Sequence, residues 1–174
     1  MATFKLSVSN DRITKIAPLA IDSPERRRLP PLLRRAWYGL NQAFRRRITH
    51  LGITPDQFTT MRILLEGESQ GLTQRELTLL MTSDPNTVAS LLERMEAAGL
   101  VARRPHEKDK RARRIQLQTA GRRKYEAARE IAVALQSEAL AVLPEASREA
   151  FLENLALVAE ACRTAAGSSP KYPK

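Results

Sequence analysis

Apolar residues along this chain recur mostly at helical spacing, and the breaks between runs carry capping signals. From Pro30 to His50, Leu33, Ala36, Leu40, Ala43, Phe44 and Ile48 follow one helical face. Pro30 and Pro31 suit a first turn, where a missing N–H costs little. Leu51-Gly52-Ile53-Thr54-Pro55 breaks and restarts the chain. Thr54 is placed as an N-cap, with Pro55 at the first helical position and Gln57 closing a capping box. Phe58, Met61, Leu64 and Leu65 then form the buried stripe of a second helix. Thr73-Gln74-Arg75-Glu76 is another capping box and predicts a short third helix burying Leu77, Leu80 and Met81. Asp84 and Pro85 open a fourth helix, whose Val88, Leu91, Leu92 and Met95 are spaced for burial. Gly99 fits a left-handed C-terminal cap, with Leu100 making the apolar contact that follows it. Two short helices joined by a tight turn, the second well capped, amount to a helix-turn-helix.

A hairpin is expected next. Leu100 to Thr119 reads as two short strands around a charged tip, Ile115 and Leu117 alternating with Arg114, Gln116 and Gln118. Thr119 is placed to cap a long Ala-rich helix running to about Leu143, ended by Pro144. A final helix carries Phe151, Leu155, Val158 and Cys162 on one stripe, and Gly167-Ser168-Ser169-Pro170 begins a frayed tail. Residues 1–29 show no sustained period and read as an extension, a solvated arm that includes Arg26-Arg27-Arg28. The expected fold class is mostly α with a small β-hairpin wing.

Charge sharpens this picture. The chain has 174 residues and a formal net charge of +10. Residues 1–50 sum to +8, 51–99 to −4, 100–124 to +8, 125–165 to −4 and 166–174 to +2. In the third block ten Lys and Arg face only Glu107 and Asp109. A solubilising surface intersperses both signs, so the basic blocks imply a shared polyanionic target, nucleic acid above all. Four Phe, three Tyr and one Trp are too few for a single-strand stacking platform.

Composition narrows the function classes. The length fits one ordinary domain, or a small module plus an oligomerisation element. No apolar run approaches membrane-spanning length and the start of the sequence has no signal-peptide core, so a cytoplasmic protein is expected. One Cys excludes an internal disulfide and, with two His, leaves no zinc-ligand set. No nucleophile cluster or glycine-rich phosphate loop occurs, and His50 and His106 lie in different elements. Neither an enzyme nor a cofactor is expected.

The order of elements, together with three segments, resembles the MarR family of bacterial transcriptional regulators. Leu92-Glu93-Arg94-Met95-Glu96-Ala97-Ala98-Gly99-Leu100-Val101-Ala102-Arg103 is similar to the family's L-x-R-L-E-x-x-G-L-V-x-R. Asp109-Lys110-Arg111 is similar to its D-x-R wing tip, and Thr119-Ala120-Gly121-Arg122 to its T-x-x-G-R helix start. Leu51-Gly52-Ile53-Thr54 and Gln57-Phe58 fit its junction between first and second helices. The likeness covers roughly residues 31–165. Two departures are His106-Glu107-Lys108, where the family commonly has Pro after an Asp, and Gln118, where it has Leu.

The resemblance implies an N-terminal extension at 1–30 and a first helix and junction at 31–54. It places a winged helix-turn-helix at 55–121, C-terminal dimerisation helices at 122–165 and a tail at 166–174. In the family the first helix and the last two interlace with a second subunit. Leu135, Leu140, Leu143, Phe151, Leu155 and Val158 would then cover one another across a homodimer, or else be buried within one chain. A two-fold dimer sets its reading heads about 34–36 Å apart on a pseudo-palindromic operator. The implied function is a double-stranded DNA-binding transcriptional regulator, a ligand-responsive repressor. The alternative is a winged-helix assembly module whose basic patch meets an acidic protein or RNA.

Candidate contacts follow from these roles. Asn86, Thr87 and Ser90 lie opposite the apolar face of the fourth helix, for base or phosphate contact or for capping and solvation. Arg94 either grips phosphate or pairs with Glu93 or Glu96. Thr73 and Arg75 open the third helix as phosphate anchors. Arg111 is expected to enter the minor groove, Asp109 to hold the tip, and Lys108, Lys110 and Arg113 to add phosphate contacts or solvate the hairpin. Relatives often bind small aromatic or phenolic effectors. Trp37, Tyr38, Phe58 and Met61 are candidates for such a pocket, or simple core. Cys162, on its apolar stripe, is expected to be an inert buried thiol rather than a redox sensor.

Overall fold

The computed structural model describes residues 27–67, 70–105 and 112–167. The expected arm at 1–26, the tail from Ser168 and the wing tip from His106 to Arg111 lie outside them. The chain divides into two units, residues 1–37 and 38–174. Helix α1 spans Leu29–Ile48, and the described part of the first unit is its opening half, with Leu29, Leu32 and Trp37 exposed.

In the second unit α1 ends on buried Phe44 and Ile48. A 3-10 turn, Thr49–Leu51, closes on Gly52 at φ 64° and leads to α2, Pro55–Glu66. Both halves of the Thr54–Gln57 capping box are formed. The remaining elements are β1 (Leu72–Thr73), α3 (Gln74–Leu80), α4 (Pro85–Ala97), β2 (Val101–Pro105), β3 (Arg113–Leu117), α5 (Thr119–Leu140) and α6 (Glu145–Gly167).

The expected hairpin is present, but it is two-thirds of a sheet. The strand order is β1-β3-β2, all antiparallel, with Leu72 opposite Ile115 and Thr73 opposite Arg114. No strand was expected at Leu72–Thr73. Two residues give no readable alternation, and their partner lies some forty residues away.

The core gathers Ile48, Met61, Leu77, Leu92, Met95, Leu100 and Ile115, each essentially inaccessible. Phe44 meets Phe58 edge-on at 4.9 Å, and Phe58 stacks on Tyr125 at 5.2 Å. These rings tie α1, α2 and α5 together, and edge-on and stacked pairs are the favoured aromatic geometries. Among the described residues Thr60 is the buried polar one, satisfied by donating to the Asp56 carbonyl at 2.8 Å.

The end of α4 is fixed by a complete Schellman motif. Gly99 stands at φ 67°, its N–H donates to Glu96 O, and the Leu100 N–H reaches Met95 O at 2.9 Å. The Leu100 carbonyl then accepts from Gln118 N–H, also at 2.9 Å. Gly121 sits against that same carbonyl, so close that a Cβ there would collide with it. One peptide thus joins the end of α4, the start of β2 and the start of α5.

Several local expectations are corrected. Leu80 is 59% exposed rather than buried, because in the seven-residue α3 only Leu77 reaches the core. The N-cap of α5 is Gln118, with Thr119 already helical. Leu135 packs into this chain's own core, 6% exposed. Cys162 is exposed, not buried, since α6 contains no buried residue at all. No helix among the described residues is long and apolar enough to cross a membrane.

Candidate nucleic-acid interface

The helix-turn-helix is built from α3 and α4. At its start the Thr73 N-cap is fully engaged: its hydroxyl donates to Glu76 Oε2 at 2.8 Å and accepts from Glu76 N–H at 3.2 Å. The Glu76 carboxylate also accepts from Thr73 N–H at 2.6 Å. This box engages the Thr73 side chain and shapes the start of α3, where phosphate anchoring was expected through backbone N–H groups and the Arg75 guanidinium. Arg75, the second residue of α3, is exposed.

The turn contains Thr82 at φ 50°, the non-glycine residue with positive φ among the described residues. Its neighbour Ser83 donates its N–H to Thr78 O at 3.2 Å, which helps hold the bend. Asp84 then caps α4, accepting from the N–H groups of Asn86 and Thr87, each at 3.0 Å, and from the Thr87 hydroxyl. These bonds favour the charged carboxylate, the Thr87 hydroxyl foremost, and hold its pKa below the ordinary value of 3.8.

Helix α4 is sharply two-sided. Val88, Leu91, Leu92 and Met95 are buried, whereas Asn86, Thr87, Ser90 and Arg94 are all exposed. The first two project at the helix N-terminus, with Ser90 one turn on. The Thr87 hydroxyl is bonded to Asp84 in the free protein, so it serves as part of the cap. Arg94 forms no ion pair with Glu93 or Glu96. The carboxylate of Glu96 faces Arg103 instead, at 3.4 Å, and accepts the Arg103 N–H at 3.3 Å. This leaves the Arg94 guanidinium open on the surface of α4.

On the wing, Arg113 is exposed at the outer end of β3. Lys108, Asp109, Lys110 and Arg111, the expected tip contacts, lie outside the described residues. The strand register reveals a pair the sequence reading passed over. Arg104 and Arg114 stand directly opposite each other on the outer face of the sheet. Strand alternation at Val101–Pro105 is the signal that separates Arg103, on the core side, from Arg104.

Phe58 and Met61 are core residues, and Trp37 and Tyr38 are 65% and 60% exposed. An open cavity of about 430 Å³ lies elsewhere, between the end of α2, the wing root and the first turn of α5; Leu65, Gln116 and Arg122 line part of it. Among the described residues no group of three or more His, Cys, Asp and Glu is placed to hold a metal.

Comparison with known proteins supports the architecture. The family model described as MarR family matches residues 51–112, which hold α2, the helix-turn-helix and the outgoing strand of the wing. The M. tuberculosis transcriptional regulator MOSR, solved in complex with DNA, is 30% identical. That match covers 76% of this chain and 96% of MOSR, with a TM-score of 0.61. S. aureus MepR in complex with DNA shares the fold at 24% identity, covering 78% of this chain and 99% of MepR, with a TM-score of 0.71. CouR from Rhodococcus jostii RHA1, bound to p-coumaroyl-CoA, shares it at 21% identity, covering 82% and 93%, with a TM-score of 0.65. Comparison with curated protein sequences returns no match. On the combined sequence and structural likeness, the chain belongs to the MarR family of transcriptional regulators.

Proposed function

We propose that this protein binds double-stranded DNA sequence-specifically as a homodimer and acts as a ligand-responsive repressor on a pseudo-palindromic operator. The observation that carries this reading is the division of α4. One face is fully committed to the core, and the other offers Asn86, Ser90 and Arg94 with no intramolecular claim on their side chains. Asn86 suits bidentate pairing with adenine, Ser90 a base or phosphate oxygen, and Arg94 a phosphate. Arg75 and Arg113 extend the phosphate contacts to either side. Lys108, Lys110 and Arg111 supply the charge of the wing tip, with Asp109 holding its shape. The complex of MOSR with DNA favours this assignment.

The homodimer is inferred from α6. A helix of 23 residues with no buried side chain gains little stability from its own chain, yet Phe151 and Leu155, four residues apart, present an exposed apolar surface. A second copy across a two-fold axis covers it and doubles the reading heads. CouR bound to p-coumaroyl-CoA supports a small-molecule effector as the regulatory input.

The test is selection of fragmented genomic DNA on the purified protein, followed by sequencing of bound fragments. A two-fold-related motif near a few promoters is the expected result. Uniform recovery without a motif overturns the regulator and favours an assembly module that meets an acidic partner or RNA.

A further inference from the structure

A carboxylate stands in the middle of the exposed face of α4. Seven residues after Asn86, Glu93 returns to within about 20° of it around the helix axis, and Ser90 lies between them on the same stripe. All three are exposed. Val88 and Met95, about half a turn round, are wholly inaccessible, so this stripe is the part of α4 turned farthest from the core. Arg94 stands to one side of it, because successive residues turn about 100°.

Nothing in the described chain neutralises this acid. Its neighbours one turn away, Ala89, Ser90, Glu96 and Ala97, include no cation. Glu96, the other carboxylate of α4, is claimed by Arg103, whereas Glu93 has no ion pair or hydrogen-bond partner among the described residues.

An unpaired carboxylate brought against a polyanion is repelled by every phosphate nearby. On a reading face that repulsion is offset by a base edge that donates. Ionised, Glu93 accepts hydrogen bonds and donates none. In the major groove guanine shows acceptors, thymine an acceptor and a methyl group, and adenine a donor beside an acceptor. Cytosine presents its N4 amino group alone, which is the edge a carboxylate fits. Glu93 lies about 10 Å along the axis from Asn86, a span of about three base steps, so the two address different pairs.

We propose that Glu93 accepts from the N4 amino group of a cytosine in each operator half-site and sets specificity at that pair. The inference rests on the proposed sequence-specific, two-fold binding of DNA and deepens it. The same charge weakens binding to every duplex that lacks the cytosine, which widens the gap between operator and random DNA.

The experiment compares wild type, Glu93→Ala and Glu93→Gln. The probes are a duplex recovered by genomic selection, the same duplex with each pair of one half-site replaced in turn, and a duplex of mixed random sequence. Binding is followed by fluorescence anisotropy at one salt concentration, and the melting temperature of each free protein is recorded. In wild type, replacing the cytosine in one half-site should cost about 5- to 150-fold in affinity. Glu93→Ala should lose preference at that pair alone, bind the random duplex more tightly than wild type, and keep its melting temperature. Glu93→Gln should move the preference at that pair from cytosine to adenine, whose N6 and N7 an amide matches.

Unchanged preferences at every pair in both variants overturn the assignment and leave Glu93 a solvated surface acid. A loss spread evenly over all pairs with a lowered melting temperature overturns it too, by marking a structural role. A wild type without preference at any pair brings down the sequence-specific regulator together with this inference. A wild type that discriminates, with neither variant altering the pattern, brings down the inference alone.

Discussion

Replacing Gly121 with Ala sets two effects of known sign against each other. Gly121 is a buried residue in the first turn of α5. On helix propensity alone, Gly→Ala should stabilise by about 1 kcal/mol. The structure opposes this, because the new methyl would overlap the Leu100 carbonyl oxygen and stand 2.7 Å from Leu117 Cδ1. A backbone oxygen held in a Schellman motif and a strand has little freedom to yield. Overpacking in place costs about 1–3 kcal/mol. Alternatively α5 lifts and loses the Gln118 N–H to Leu100 O bond, a buried loss of similar size, about 1–3 kcal/mol. The chain takes one route or a mixture of both, not their sum. After the propensity gain the net cost is about 0–2 kcal/mol, a fall in melting temperature of up to about 8 °C for a chain of this size. Gly39→Ala is the matched control: it too is helical, but its Cβ would meet nothing within 4 Å. It should raise stability by about 0.5–1 kcal/mol. Differential scanning calorimetry of both variants at one protein concentration decides the matter. A Gly121→Ala protein as stable as Gly39→Ala would refute the close-packed junction of α4, wing and α5.

Three further outcomes follow from the same geometry. Asn86→Ala should weaken binding to the selected operator by about 1–3 kcal/mol while leaving random-duplex affinity unchanged; equal losses on both would make Asn86 a solvated residue or a phosphate contact. Leu155→Asp places a charge on the apolar surface of α6 and should yield a folded monomer, by sedimentation, that no longer binds operator tightly; a monomer with full affinity would end the two-fold scheme. The depressed pKa of Asp84 means its cap is complete above the ordinary value of 3.8 and is lost as pH falls through the lower folded value. The stability difference between wild type and Asp84→Asn should therefore shrink below pH 3.8, and a difference that stays constant on acidification would count against the charge-assisted cap.

What the sequence revealed was whatever is decided locally. The Thr54–Gln57 and Thr73–Glu76 boxes, the Asp84 cap and the Gly99 turn each depend on residues within one helical turn, and all four are formed. The stripe Val88, Leu91, Leu92, Met95 was equally legible, since three turns of α4 give periodicity enough to fix a face. Longer-range features were not. Strand β1 exists only through its pairing with β3, and the opposition of Arg104 to Arg114 needs a register that a hairpin with a long tip does not announce. In α3, about two turns cannot decide between Leu77 and Leu80. The exposure of Cys162 follows from α6 as a whole, whose apolar residues find no cover in their own chain. At the interface the polar face of α4 was legible from sequence.

Strand β1 has a mechanical consequence. Thr73 is at once the strand residue paired with Arg114 and the N-cap of α3. The hairpin is therefore geared to the first helix of the reading head through a ladder, as well as to the second through Gly99 and Leu100. Tugging the wing along a DNA groove would drag both helices with it. Under the proposed two-fold scheme the module would act as a jaw of fixed gape, and a signal that loosened its hold would have to swing whole jaws apart rather than bend one of them.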